Sequence, residues 1–515
     1  MWLTALSSFC GAVYKKHTIE LQGLLQYVAN QLKAKHSLDL IIIKEVVAKM
    51  GGVEGVEEMT SEQIEATAGG ELLRQEAASF TQVKNTRKSS QRLKDCLIES
   101  GLAVPLVLLM AQQGNCVVYQ ETEDDHLKLV GKLFDQCHDT LVQFGSFLAS
   151  NLSQDDYTER LPPIHQLLSE FHVNSDIAFF LARPMFNYMI GTKYDELRKG
   201  DKLWKQRTAA ERQAKHAEAA QLVMEPVTSA VMPIYPAKVW EDISPQFFTT
   251  FWSLTMYDLH VPEAMYEKEI LKLKEAPAKL INNKELNSTR RKKEADRLQS
   301  LMERLQEEER RHKEHVERVM ARLRQEKDAW FLSRSARSAK NETITQFLQF
   351  CLFPRCIFTS SDAIYAAKFV SVIHMLKTPN FSTLICYDRI FCDITYTVTS
   401  CTENEAGRYG RFLAAMLETV MKWHGDRWPP DHDPHPQCSY RIFMLLLLGN
   451  CSSGSVPAIQ ASSPSSGSRT RRTGTILTPW TLRTTGTSAT SGTTRSPRHS
   501  WSASRARTSC PSGTL

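Results

Sequence analysis

The order of apolar and polar residues reads as helix along most of the chain. Between residues 9 and 50, Ile19, Leu21, Leu24, Leu25, Val28 and Leu32 precede a second apolar run over 38–47, with Gly51-Gly52 as a stop, the pattern of paired amphipathic helices. Thr60-Ser-Glu-Gln63 has the form of a capping box, in which hydroxyl and amide each satisfy a backbone N–H, so a short helix begins there and ends at Gly69-Gly70. Helical patterning resumes over 93–110 around Pro105, which starts or kinks a segment. The plainest helix is 126–152, where Val130, Phe134, Cys137, Leu141, Phe144 and Leu148 recur at spacings of 4, 3, 4, 3 and 4.

Short helices follow to about residue 198, and 199–221 has so little apolar patterning that it reads as an exposed connection. Pro226, Pro233, Pro236 and Pro245 mark a non-helical crossing; Ser244-Pro245, an N-cap and a first-turn proline, then opens an aromatic helix over 246–258. From about 263 to 333, Lys, Arg and Glu dominate. Positions 298, 302, 305, 309, 312, 316, 319, 323, 326 and 330 alternate spacings of 4 and 3, and seven of these ten are apolar, so the segment reads as one long charged helix. Glu309 and His312 interrupt that seam, which predicts packing over only part of its length. Residues 341–353 resume compact patterning, and helices follow at 361–376, 381–399 and 403–424, the last opened by Thr402-Glu-Asn-Glu405. Within 381–399, Ile394-Thr-Tyr-Thr-Val-Thr399 is β-branched enough to leave a strand as the alternative.

The fold expected is all-α, an irregular α-solenoid or helical scaffold with one long charged helix and a disordered C-terminal tail. Its parts are a helical scaffold region over 1–225, a Pro-rich crossing and aromatic helix over 226–263, the charged coiled-coil-like helix over 264–335, a compact helical region over 336–427 and a divergent tail over 428–515. That tail is Ser/Thr/Arg-rich and aperiodic, and such text does not bury enough apolar surface to offset its ordering entropy.

Charge changes the picture only at this tail. The 515 residues carry +6, but residues 451–515 hold eight Arg and no Lys, Asp or Glu, so without them the body stands at −2. A near-neutral body is poor evidence for nucleic acid. The longest apolar runs, 102–111 and 442–448, fall short of the roughly 18–20 residues that cross a bilayer. The first residues lack the basic stretch that precedes a signal peptide's apolar core. Twelve Cys, mostly inside apolar helical patterns, read as small buried hydrophobes in a reducing compartment.

Local motifs give catalysis no foothold. The chain contains no Gly-x-x-x-x-Gly-Lys-Ser/Thr, no Gly-x-Ser-x-Gly, no His-Glu-x-x-His and no kinase signature, and its Cys spacings do not form a zinc site, so no cofactor and no metal is expected. Cys137-His138-Asp139 juxtaposes a thiol, an imidazole and a carboxylate, yet adjacent helical residues diverge by about 100°, and Cys137 belongs to the apolar stripe. Arg290, Arg291, Lys292 and Lys293 admit two readings: a solvated helix face offset by neighbouring acids, or a contact for RNA phosphate or nuclear import. Phe247, Phe248, Phe251, Trp252 and Tyr257 are too many aromatics for one helix to hide alone, and read as a face packed on another helix layer or on a partner subunit.

Leu21-Gln-Gly-Leu-Leu-Gln-Tyr-Val-Ala-Asn-Gln-Leu-Lys33, residues 128–145, Asp242-Ile-Ser-Pro-Gln-Phe-Phe248 with 251–259, Lys340-Asn-Glu-Thr-Ile-Thr345 and residues 402–412 strongly resemble, in the same order, the large scaffold subunit family of the THO complex. The resemblance covers roughly residues 9–427. It implies a non-enzymatic all-α scaffold in the nucleus that holds other THO subunits within the transcription-export assembly. It further implies coupling of transcription to messenger-RNA packaging and export, with a DEAD-box RNA-dependent ATPase and mRNA as partners and neither membrane nor small-molecule substrate. Family members are longer at both ends, so the chain reads as a middle portion. After Trp428 the resemblance stops, which points to a misread exon, an alternative splice form or a change of frame.

Overall fold

The computed structural model describes residues 2–17, 20–52, 60–78, 86–119, 127–281, 288–332, 337–392 and 394–425; the tail over 428–515, expected to be disordered, lies outside them. Helix α1 (Trp2–Lys16) packs on α3 (Leu40–Val46), and α2 (Gln22–Lys33) packs on α7 (Ala103–Tyr119). Leu25, Val28 and Leu32 of α2 and Leu40, Ile43 and Val46 of α3 turn inward, as their spacing requires. Helix α3 runs on as a π turn to Gly51 and stops at Gly52, whose φ of +69° is left-handed backbone that suits glycine. Thr60 and Gln63 form the expected capping box at the start of α4 (Ser61–Thr67), and α5 (Glu71–Ala78) follows Gly70. Helix α6 (Arg87–Glu99) leads to α7, where Pro105 occupies the first turn, the place in which a missing N–H costs least. Helix α8 (Leu127–Asn151) lies against α7 and buries Cys137, Leu141, Phe144 and Leu148 on one face.

Helices α9 (Gln154–Arg160), α10 (Ile164–Ser169), α11 (Ser175–Gly200) and α12 (Ala209–Val231) continue the stack, α11 packing on α12. Two expectations fail here. Residues 209–221 are helix rather than connection, because Thr208 and Glu211 form a capping box and the small side chains of Ala219 and Ala220 turn into the core. Pro226 lies inside α12 rather than in a crossing; the hydrogen bond it forfeits is offset by burial of Met224, Val227 and Val231 around it. The irregular stretch is confined to 3₁₀ turns at Met232–Ile234 and Ala237–Glu241.

The aromatic segment divides into α13 (Pro245–Ser253) and α14 (Met256–Leu259), with Leu254 extended between them and Thr255 and Asp258 boxing the new start. The charged segment also divides, into α15 (Glu263–Ile281) and the long charged helix α16 (Ser288–Glu326), which pack on each other. Heptad counting from the sequence passed over this division. An isolated antiparallel bridge, Ile243 to Phe331, joins the chain beyond α16 to the entry of α13.

Helix α17 (Arg337–Phe347) passes through a π turn into α18 (Phe353–Cys356), followed by α19 (Ser360–Met375), α20 (Thr383–Cys392), α21 (Ile394–Thr399) and α22 (Glu403–Gly425). The β-branched run 394–399 is therefore helix. Helix α22 lies against α19 and reaches α8. Among the described residues no helix is long and apolar enough to cross a membrane.

One extended core runs through these helices, and a smaller one lies where α5, α15 and α16 meet. At the smaller core Glu308 of α16 accepts from the first-turn N–H groups of Leu72 (2.8 Å) and Leu73 (3.0 Å) of α5. Tyr266 of α15 donates its hydroxyl to Glu308 and accepts from Gly70 N–H (2.9 Å). A carboxylate at a helix N-terminus satisfies donors the helix leaves open and meets its positive dipole end. A Cβ on Gly70 would come within 2.2 Å of the Glu308 carboxyl carbon, so any larger residue must push that side chain away. Gly70→Ala is expected to displace that carboxylate and cost about 1–3 kcal/mol. Urea unfolding of the full chain measures it, and Glu308→Gln in the same background should add far less than it does alone.

Candidate functional site

The site the sequence proposes begins at α13. Ser244 accepts from Phe247 N–H (3.1 Å) and Pro245 occupies the first turn, which fixes the helix start. Phe247, Phe248, Phe251 and Trp252 are at most 1% exposed. Phe247 meets Phe331 at 4.7 Å and Trp330 at 5.4 Å between ring centres, and Phe251 meets Phe369 at 5.0 Å in an edge-to-face pair. These four rings are packed against this chain's own helices, and none presents a face to a partner. Tyr257, half-buried on α14, stacks flat on His312 of α16 at 4.0 Å.

Where α13 ends, its last carbonyls need donors, and two buried guanidiniums supply them. Arg355 of α18, 0% exposed, donates to Phe251 O (3.0 Å), Trp252 O (3.1 Å) and Leu254 O (2.8 Å). Arg183 of α11 donates to Trp252 O (3.1 Å) and to Asp362 Oδ1 (2.9 Å), and Arg355 Nε pairs with the same Asp362 oxygen. Tyr365 donates to Phe251 O and lies 4.2 Å from the Arg355 guanidinium, ring centre to carbon. Burial pushes Arg183 down to about 10, helped by the charge of Arg355, and it remains a cation at neutral pH. Burial would raise Asp362, but Arg183, Arg355 and the Thr359 hydroxyl outweigh it and hold the carboxyl below its usual range. Sequence reading passed over this hub. Its signal was a lone Arg355 inside the apolar run 350–358.

The long helix is held at three levels. Above Glu308, His312 is 0% exposed and donates Nε2–H to Tyr257 O (2.7 Å). One turn on, His315 Nε2 meets the buried Asp258 Oδ1 at 2.7 Å. Burial alone would raise Asp258; the hydrogen bond and charge of His315 with the Thr255 donors hold it low. Leu305, just before Glu308, and Val319, Met320 and Leu323, nearer the end, are buried within this chain. The two residues that interrupt the middle of the seam, Glu309 and His312, do not free it. His312 is swallowed by Tyr257 and Tyr266, while Glu309 turns to Lys313 (2.8 Å).

Of the basic cluster, Lys292 and Lys293 are exposed, whereas the side chains of Arg290 and Arg291 lie outside the described ones. Cys137, His138 and Asp139 diverge. Cys137 faces the core, and burial pushes its thiol up to about 12; His138 bonds Phe358 O (2.7 Å); Asp139 pairs with Arg408 (2.7 Å). A cleft of about 480 Å³ opens beside the start of α11, where Ser175 and Tyr235 share a hydrogen bond (2.9 Å) and Asp176 accepts from Ile177 N–H. Those groups are committed to the helix start. No group of three or more metal-ligating side chains occurs among the described residues.

Replacing Arg355 by Met takes the donor from Leu254 O, leaves Phe251 O and Trp252 O with Tyr365 and Arg183 alone, and uncovers part of the Asp362 charge; it is expected to cost about 3–5 kcal/mol in denaturant unfolding. A pH series gives a second check. Burial, reinforced by nearby cations, holds His138, His216 and His260 down to about 4, against 6.5 for a free imidazole. The unfolded chain therefore binds more protons below 6.5, so stability should be full above that pH and fall as the pH drops toward 4. His216→Gln should flatten that fall, read as the urea midpoint at each pH.

Residues 240–430 match the Tho2 family, described as transcription factor/nuclear export subunit protein 2. Over 426 residues, 83% of this chain, it is 59% identical to THO complex subunit 2 of Homo sapiens. It is 36% identical over 458 residues to that of Arabidopsis thaliana and 22% identical over 436 residues to that of Saccharomyces cerevisiae. The alignments take in 26%, 25% and 24% of those relatives, so the chain spans about a quarter of their length. The similarity stretches across the helical body described above, and the chain belongs to the THO complex subunit 2 family.

Proposed function

We propose that this chain is a non-enzymatic scaffold subunit of the nuclear THO complex. It couples transcription to mRNA packaging, processing and export by holding other THO subunits and a DEAD-box RNA-dependent ATPase near nascent RNA. The observation that carries this reading is the 59% identity over 83% of the chain to proteins named as THO complex subunits. The geometry supports it in kind, because the strongest polar groups, Arg183, Arg355, Asp362 and Glu308, are spent on joining helices to one another.

The mechanism is co-localisation. A weakly binding ATPase or RNA held on a rigid helical body meets its target at raised effective concentration, with no new chemistry required of the scaffold. The outer face of α16 suits such recognition: Glu307 pairs with Arg310 (2.8 Å) and Arg311 (2.7 Å), leaving a ladder of alternating charge. Docking grooves between helices would supply the apolar part of each contact.

Direct RNA contact through Arg290, Arg291, Lys292 and Lys293 is the second reading, supported by the exposure of Lys292 and Lys293 on α16. Changing all four to Ala should weaken RNA retention at low salt and nuclear import; unchanged retention and import would dismiss it.

Affinity purification of the full chain from nuclear extract, with and without RNase, tests the scaffold. THO subunits and the DEAD-box ATPase should remain after RNase. Loss of every one of them on RNase treatment would replace protein scaffolding with association through RNA.

A further inference from the structure

The connection between α11 and α12 carries more positive charge than its own acids neutralise. Residues 193–215 hold eight Lys and Arg against four Asp and Glu. Every one of those acids is already paired with a cation of the same stretch. Lys193 meets Glu196 (3.0 Å), Arg198 meets Asp195 (3.4 Å), and Arg207 meets both Asp201 and Glu211. Lys215 pairs with Glu218 just beyond (2.7 Å). Lys199, Lys202, Lys205 and Arg212 are all exposed, and among the described residues none of them meets a carboxylate.

An aromatic ring sits among these four cations. Trp204, half-buried in the 3₁₀ turn Trp204–Gln206, leans edge-on against Tyr194 (5.5 Å), which in turn contacts the buried His216 (5.4 Å). The Arg212 guanidinium stands 5.8 Å from the Trp204 ring centre, near the outer limit of about 6 Å for a cation–π contact. Asp201 holds the turn in shape by accepting from Leu203 N–H (3.0 Å) and pairing with Arg207. Thr208 and Glu211 cap α12 directly behind it. The ring and its flanking cations are therefore presented on a fixed loop.

We propose that the α11–α12 connection is a contact site for single-stranded nucleic acid, in which Lys199, Lys202, Lys205 and Arg212 neutralise backbone phosphates and the Trp204 ring stacks a base. Surplus cations around an aromatic platform are the combination that single strands use, since unpaired bases have π-faces to stack. A duplex keeps those faces covered. The site goes beyond the scaffold reading and does not depend on it: it lies far along the sequence from Arg290–Lys293 and from the Arg-rich tail, and it holds or fails whichever proteins the chain assembles with.

Fluorescence anisotropy of a labelled U15 oligonucleotide with the full chain tests the site. The comparison is Lys199→Gln/Lys202→Gln/Lys205→Gln against a charge-matched control, Lys238→Gln/Lys274→Gln/Lys422→Gln, all three of them exposed. The loop triple should lose about tenfold or more in affinity and lower the salt slope by about 2, as expected for three phosphate contacts on a single strand. The control triple should lose less than about threefold, the amount set by general charge alone. Trp204→Ala should weaken binding by about fivefold or more and Trp204→Phe should restore most of it, which separates stacking from loop stability. Photocrosslinking with 4-thiouridine in the oligonucleotide should label the peptide over 199–212. Equal losses in the two triples, or equal effects of Trp204→Ala and Trp204→Phe, would overturn the proposal. So would duplex RNA bound as tightly as U15, or a loss confined to phosphatidylserine vesicles, which would make the loop a lipid contact.

Discussion

The carbonyl end of α13 is the constraint around which the centre of the molecule is built. A helix buried at its C-terminus leaves acceptors that water does not reach, and each must find a donor inside the protein. Arg183 and Arg355 meet that demand together, and Asp362 in turn fixes both guanidiniums. Three stretches distant in sequence, α11, α13 and the consecutive pair α18–α19, are thereby brought to one point. The aromatic layer of Phe247, Phe251, Trp330, Phe347 and Phe369 closes over the junction and keeps it dry. Low dielectric strengthens such bonds when all are made and makes each missing one expensive.

Much of the fold was legible in the sequence because helix periodicity is local. The stripe of α8 and the capping boxes at Thr60 and Thr402 needed only residues a few positions apart, and α8 and α22 fall within two residues of their expected ends. What failed did so for nameable reasons. Alanine carries little hydrophobic signal, so the first half of α12 read as connection, although Ala219 and Ala220 pack fully. A heptad count has no term for chain reversal, so α15 and α16 merged. Prolines read as breaks, yet Pro226 is tolerated where neighbouring burial exceeds its cost.

The candidate site was legible in composition but not in orientation. Too many aromatics on α13 was a sound observation, and the choice between a partner and the chain's own core depended on residues up to about a hundred positions away, such as Phe350 and Tyr365. Buried charge is harder still to anticipate. Arg183, like Arg355, stands alone in an apolar run, but its partners on other helices are not legible from that run, and the Asp362 carboxylate reads as an ordinary cap partner of Thr359. His312 shows the same limit: a polar residue in an apolar seam looks like an interruption until a tyrosine ring and carbonyl 55 residues earlier are placed against it.

The bond between Glu308 and the start of α5 carries a consequence for synthesis. Leu72 and its acceptor are separated by 236 residues of chain. At about 5–20 residues per second on the ribosome, the α4–α5 pair waits some 10–50 s before the carboxylate that caps it has been made. During that interval its donors are met by water or by another protein, and the smaller core it shares with α15 and α16 stays open. Helices α4 and α5 are thus made well before α16 and finished only with it, a window in which chaperones or assembly partners have first access to a surface the mature fold conceals.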